Sequence, residues 1–251
     1  MTRAGGAIAG GVAAAMLLLL VVLIPGSAPA QEVSISLGDE GGSLSGRIVQ
    51  LFLLVGVVGV APGLVIMLTC FPFIVTVLAI LRQAIGLQQS PPNMLIISLA
   101  LFLTWFVMEP ALTEAWQNGV QPLIEEEIEL EPAFTRTIAP FRGFMAARVE
   151  PDTFASLAEL RDLPQGQAPP DAPLSVLVPS FLLSEVARAF QIGFLIYLPF
   201  LIIDIVVSAV LMSMGMMMVP PVIVSMPFKL AFFVLADGWT LISEALVRGY
   251  M

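Results

Sequence analysis

The chain has no histidine and one cysteine, Cys70, and charged residues make up only 12% of its 251 positions. Each shortage removes a class of function. Without histidine, a Cys–His pair or a Ser–His–Asp triad cannot be built, and one thiol alone makes no ordinary zinc site. A single cysteine forms no internal disulfide, and Cys70 lies in an apolar run, where a packed, inert thiol is expected. A soluble globular chain carries roughly 25% charged residues, so half that complement is missing. Hydrophobic residues fill 58% of the chain and are grouped in long blocks, which a bilayer requires and a globular core does not.

The net charge of −9 belongs to one segment. Between Glu109 and Glu185, 13 acidic residues stand against 4 arginines, and the remainder sums to zero. This balance argues against nucleic acid as a partner, because binding phosphate needs Lys and Arg.

Residues 1–30 read as a cleaved signal peptide. Arg3 supplies the basic start, an apolar stretch runs over 12–24, and Ala28-Pro29-Ala30 has the small-x-small pattern of a cleavage site, with Ala28 and Ala30 as its two small residues. An uncleaved first anchor is the alternative. Cleavage would place an acidic leader, 31–47, outside the cytoplasm.

The remaining pattern predicts an all-α polytopic membrane protein with about four hydrophobic helical segments, some broken by proline, and a small helical periplasmic domain. The apolar block 48–81 is too long for one ordinary span, and Pro62 and Pro72 should kink or break it. An inner turn, 82–93, contains Arg82, Gln89, Pro91, Pro92 and Asn93, and a second span at 94–108 completes a first hairpin over 48–108. Segment 109–174 reads as the acidic periplasmic domain. Phe134, Ile138, Phe141 and Met145 share one predicted helix face, and Phe154, Leu157 and Leu160 another, beginning after Pro151-Asp152. Leu112, Ala115, Trp116, Leu123 and Ile124 suggest a third helix, and the four prolines within 164–173 mark a linker. A second hairpin, 175–251, contains spans at 187–210 and 222–247. With the leader outside, loops 82–93 and 211–221 fall inside, although Arg82 alone supports that orientation by charge.

Loop 212–218 holds five methionines in seven residues: Met212, Met214, Met216, Met217 and Met218, interrupted by Ser213 and Gly215. Methionine is unbranched and polarizable and repacks around variable shapes. Several copies of the loop around an axis would make a deformable, ion-tight plug; a greasy turn packed on its neighbours is the plainer reading. Lys229, Asp204 and Asp237 are charges within apolar runs, and Glu185 lies at the entry of the third. Such residues must pair, snorkel or face water. Glu185 and Asp204 are both candidate partners for Lys229, and a proton or ion path through Asp204, Asp237 and Lys229 is the functional alternative. Trp105 and Trp239 fit interfacial or packing aromatics. Glu125, Glu126, Glu127, Glu129 and Glu131 lack the spacing of a calcium loop and read as a solvated charge run.

Three long strings carry a resemblance. They are 81–93 (Leu-Arg-Gln-Ala-Ile-Gly-Leu-Gln-Gln-Ser-Pro-Pro-Asn); 179–204, from Pro-Ser-Phe-Leu-Leu-Ser-Glu through to Leu-Ile-Ile-Asp; and 214–221 (Met-Gly-Met-Met-Met-Val-Pro-Pro) running on to Ser-Met-Pro-Phe-Lys-Leu and Ala-Asp-Gly-Trp. Together they resemble the FliP family of the flagellar type III export gate, and the likeness extends over the chain from Ile48. The virulence-type secretion systems have a related family; the signal peptide and Val219-Pro-Pro look more like the flagellar branch. The resemblance implies a pentamer-like ring of identical copies with FliQ and FliR in the inner membrane, at the flagellar basal body. It implies FlhA and FlhB as further partners, unfolded flagellar proteins as cargo, membrane lipid around the complex, and no catalytic residue or cofactor. The methionine loop would be the pore gate. It also implies that in the assembled gate the apolar helices sit largely above the membrane plane. Outside this family, the competing expectation is an ion- or proton-coupled transporter.

Overall fold

A computed structural model describes residues 51–251 apart from 53, 54, 57, 58, 60–62, 64, 87–90 and 165. The expected signal peptide with Ala28 and Ala30, the acidic leader, Pro62 and Gln89 lie outside the described residues. The unit Leu53–Met251 carries every element that follows, and among the described residues there is no strand.

Helix α1 (Phe71–Ile85) is the central pillar. Pro72 falls in its first turn, where a missing backbone donor costs nothing, so this proline starts a helix rather than kinking one. The preceding break lies at 68–70. Phe73, Ile74, Val77, Leu78, Leu81, Ala84 and Ile85 are all buried, the spacing of two adjoining faces covered at once. Gly86 ends the helix in a left-handed conformation, φ 88°.

Helix α2 (Asn93–Ala115) continues past the expected end of the second span at 108, through a π-helical stretch (Trp116–Val120) into α3 (Gln121–Ile124). The whole is 32 residues long, so the polar segment is entered along a helix and not through a loop. The π stretch coincides with a close approach: a Cβ on Gly119 would lie 2.7 Å from the backbone nitrogen of Thr137 on α4 (Leu130–Arg148). Helix α4 meets the chain through Ala133, Thr137, Phe141 and Met145, a strict four-residue ridge. Phe134, expected on that face, is 62% exposed. The small side chains at 133 and 137 permit the approach, and a phenylalanine there would hold the helices apart. Helix α5 (Pro151–Glu159) buries Phe154 and partly buries Leu157, but Leu160 lies beyond its end and is exposed. A 3₁₀ turn (Pro169–Asp171) crosses the linker, held by Arg142, which donates Nη1 to the carbonyls of Pro170 and Ala172.

Helix α6 (Leu174–Ser213) has 40 residues, or about 60 Å at 1.5 Å per residue, twice a hydrocarbon core of roughly 30 Å. The expected third span is thus the second half of a longer rod. Its first half packs Val176, Leu177, Phe181 and Glu185 under α4 and α5, and its middle crosses α1, where a Cβ on Gly193 would come 2.4 Å from Ile80 Cδ1. The expected fourth span is two helices, α7 (Pro221–Leu235) and α8 (Gly238–Arg248), bent by 61°. Asp237 takes the left-handed conformation at the bend, φ 48°, and Gly238 seats against the ring of Phe233, leaving no room for a side chain.

Among the described residues, two helices are therefore long and apolar enough to cross a membrane, or three if the bent pair counts as one span. Phe102, Trp105 and Phe106 on α2, Ile202, Ile205 and Val206 on α6, and Leu235 on α7 are all exposed. Helices apolar on every side need lipid or protein to cover them.

Candidate functional site

The methionine loop is built by the end of α6. Gly215, φ 72°, closes the helix: its N–H reaches the Met212 carbonyl at 3.0 Å, and the Met216 N–H reaches that of Leu211 at 3.0 Å. This double bond pattern around a left-handed residue is a Schellman cap, which satisfies orphan carbonyls while turning the chain sharply. Pro220 and Pro221 then start α7. The backbone is fixed, but the side chains find little support. Met212, Met214 and Met216 are exposed, Met217 is 85% exposed and Met218 98%. Five exposed thioethers project from the end of α6 and the turn that follows it.

Lys229, only 4% exposed, donates Nζ to Asp204 Oδ2 at 2.6 Å and to the carbonyl of Ala84 at 3.1 Å. Ser225 donates to the other carboxylate oxygen at 2.6 Å. Three helices, α1, α6 and α7, are joined at one ion pair. Asp237 stands apart from this cluster: its carboxylate accepts from Thr240 Oγ1 at 3.1 Å in the first turn of α8.

Glu185, the other candidate partner of Lys229, pairs elsewhere. It is 1% exposed, and its Oε1 accepts from Arg148 Nε at 3.0 Å. Its Oε2 accepts from the Tyr250 hydroxyl. Arg148 also donates Nη1 to the Gly249 carbonyl at 2.8 Å and lies 3.8 Å above the Tyr250 ring. That ring stacks on Phe144 at 5.9 Å and meets Phe73 edge-on at 5.5 Å. Burial and the adjacent carboxylate push the Tyr250 phenol well above its usual range, so its proton stays available to Glu185. Sequence reasoning missed Arg148 and Tyr250. The available signal was a buried glutamate in need of a cation, but the two residues that answer it lie 37 and 65 positions away.

In the inner turn, Arg82 donates to Asn93 Oδ1 and to the carbonyl of Pro91, tying the end of α1 to the start of α2; Pro92 immediately precedes α2. Cys70 is fully buried. Trp105 is exposed on α2, and Trp239 packs edge-on against Phe233 at 5.4 Å. Glu125, Glu126 and Glu127 are exposed, and among the described residues no group of three metal-ligating side chains converges.

The model of the FliP family matches residues 54–246. The chain belongs to the FliP family. It is 49% identical over 229 residues to the flagellar biosynthetic protein FliP of Caulobacter vibrioides, covering 91% of this chain and 86% of that one. To the flagellar biosynthetic protein FliP of Bacillus subtilis it is 45% identical over 202 residues, 80% of this chain and 91% of the other. The corresponding protein of Agrobacterium fabrum is 43% identical over 233 residues, 91% and 95% of the two chains. The match spans both buried ion pairs and the methionine loop, so these features lie within the FliP region of the chain and not in an added segment.

Proposed function

We propose that this FliP-family chain is a passive channel subunit of the flagellar type III protein export gate, with the methionine loop as its seal. The relatives are flagellar biosynthetic proteins, which supports the flagellar assignment. The observation that carries the reading is the turn after α6, where thioethers stand free of their own fold. Burying one such side chain is worth about 1.5–3 kcal/mol, so several copies gain by bringing their loops together around an axis. A plug of unbranched side chains can close on itself against ions and yield to a passing unfolded chain. The apolar faces of α2, α6 and α7 supply surface for the ring, for FliQ and FliR and for lipid, in the inner membrane with the acidic segment on the periplasmic side. FlhA and FlhB are the expected further partners. In this reading energy is supplied elsewhere. Within the membrane, Lys229 and Asp204 hold helices together rather than relay protons, as Asp237 has a separate partner.

Replacing Met216, Met217 and Met218 together by alanine should leave folding intact and make cells leak ions and small solutes. Wild-type conductance in that variant would refute the seal.

A further inference from the structure

A cleft of about 540 Å³ lies between α6 and α8, with Phe73 of α1 as part of its wall. Ile192 and Ile196 line one side, and Leu241, Ala245 and Leu246 the other. From Arg188 to Ile196 and from Leu241 to Gly249 each wall covers eight steps of the chain, about 12 Å at 1.5 Å per residue. One end differs from the rest. There Arg188 enters from α6, and Arg148 sits behind it beside Gly249. Among the described residues, no acidic side chain lines the cleft. Arg148 is already engaged with Glu185, but no carboxylate among the described residues pairs with the exposed Arg188. An apolar trough ending in an unneutralised guanidinium is complementary to a molecule with a hydrocarbon body and an anionic head. Its size lies within the roughly 300–1,000 Å³ of clefts that take single small ligands. A helix, about 10–12 Å across with its side chains, is as wide as the cleft is long and would bury no charge against Arg188 unless it carried an acid at that one level.

We propose that this cleft binds one acidic phospholipid, an acyl chain lying along Ile192, Ile196 and Leu241 and the headgroup phosphate accepting from Arg188. The guanidinium fork suits a phosphate's paired oxygens. Arg188 stands where α6 leaves the acidic segment and enters its apolar half, so a headgroup held there leaves its acyl chain along apolar residues. The proposal is independent of the methionine seal.

The test uses the full chain, purified in mild detergent, stripped of lipid and titrated with phosphatidylglycerol, phosphatidylethanolamine or inorganic phosphate while thermal unfolding is followed. Phosphatidylglycerol should raise the melting temperature saturably, at a midpoint about tenfold below that of phosphatidylethanolamine, and inorganic phosphate should have no effect. Arg188→Gln should raise the phosphatidylglycerol midpoint about tenfold, the loss of one charge-assisted bond, and Arg188→Lys should recover only part of it, since an ammonium keeps the charge but not the fork. Ile192→Trp, which fills the trough, should abolish the effect; if that variant does not fold, the Gln and Lys variants still decide. Equal midpoints for the two lipids, or a midpoint indifferent to Arg188→Gln, would overturn the proposal. So would a change in oligomer size with Arg188→Gln at constant lipid affinity, which would assign the cleft to a second copy.

Discussion

Tyr250→Phe removes one oxygen and leaves the ring stacked on Phe144, edge-on to Phe73 and beneath Arg148. The substitution isolates a single bond, the hydroxyl donated to Glu185. Hydrogen bonds to charged groups contribute about 1.5–3 kcal/mol, and the 1% exposure of Glu185 means water cannot replace the lost donor. A cost of about 2 kcal/mol corresponds to roughly a 30-fold shift in the opening equilibrium. Cys70 reports it directly, being the only thiol in the chain and fully buried in the cluster that also contains Phe73. In detergent, with a fluorogenic maleimide in the regime where closing outpaces labelling, the Cys70 reaction should accelerate about 30-fold in the variant. Glu185→Gln should cost about 3 kcal/mol, because it leaves the Arg148 cation facing a neutral partner. The double variant should cost less than the sum by about 1 kcal/mol, since both changes strike one carboxylate. Labelling of Tyr250→Phe within about twofold of wild type, together with strict additivity, would show that the Tyr250–Glu185 bond contributes nothing and that the fold holds Glu185 by other means.

Gly119→Ala should lower stability by about 1–3 kcal/mol, because the new Cβ meets the backbone of Thr137 and no side-chain rotation relieves it; thermal unfolding checks this, and Thr137→Ala should fail to rescue. Gly193→Ala meets the end of a flexible chain instead, so it should be milder and should be recovered by Ile80→Val, which deletes the clashing Cδ1. Lys229→Ala strands Asp204 with Ser225 alone and should reduce the yield of assembled complex on native gels. Lys229→Met combined with Asp204→Asn should recover much of it, since breaking a buried pair costs about 3–5 kcal/mol while replacing both partners can be near neutral. A full-size complex at wild-type yield in Lys229→Ala would remove the pair from assembly.

The amino-acid sequence alone determined the solvent. Long apolar blocks with scarce charge dictate helices in a membrane, because backbone groups there must be satisfied within their own segment. It also located the methionine turn, whose glycine and paired prolines act locally, and it marked Lys229, Asp204 and Glu185 as charges requiring an answer. Tertiary structure decided who answers. Lys229 takes Asp204, Glu185 takes Arg148 and Tyr250, and α4 packs through Ala133 and Thr137 instead of Phe134. Helix periodicity reports which residues share a face, but the choice of face depends on the partner's shape, and here Gly119 sets that shape. The split of the last span is tertiary too: Asp237 takes a left-handed turn at the bend, and the ring of Phe233 lies where a side chain at 238 would be, a fit that exists only once the helices have folded against one another.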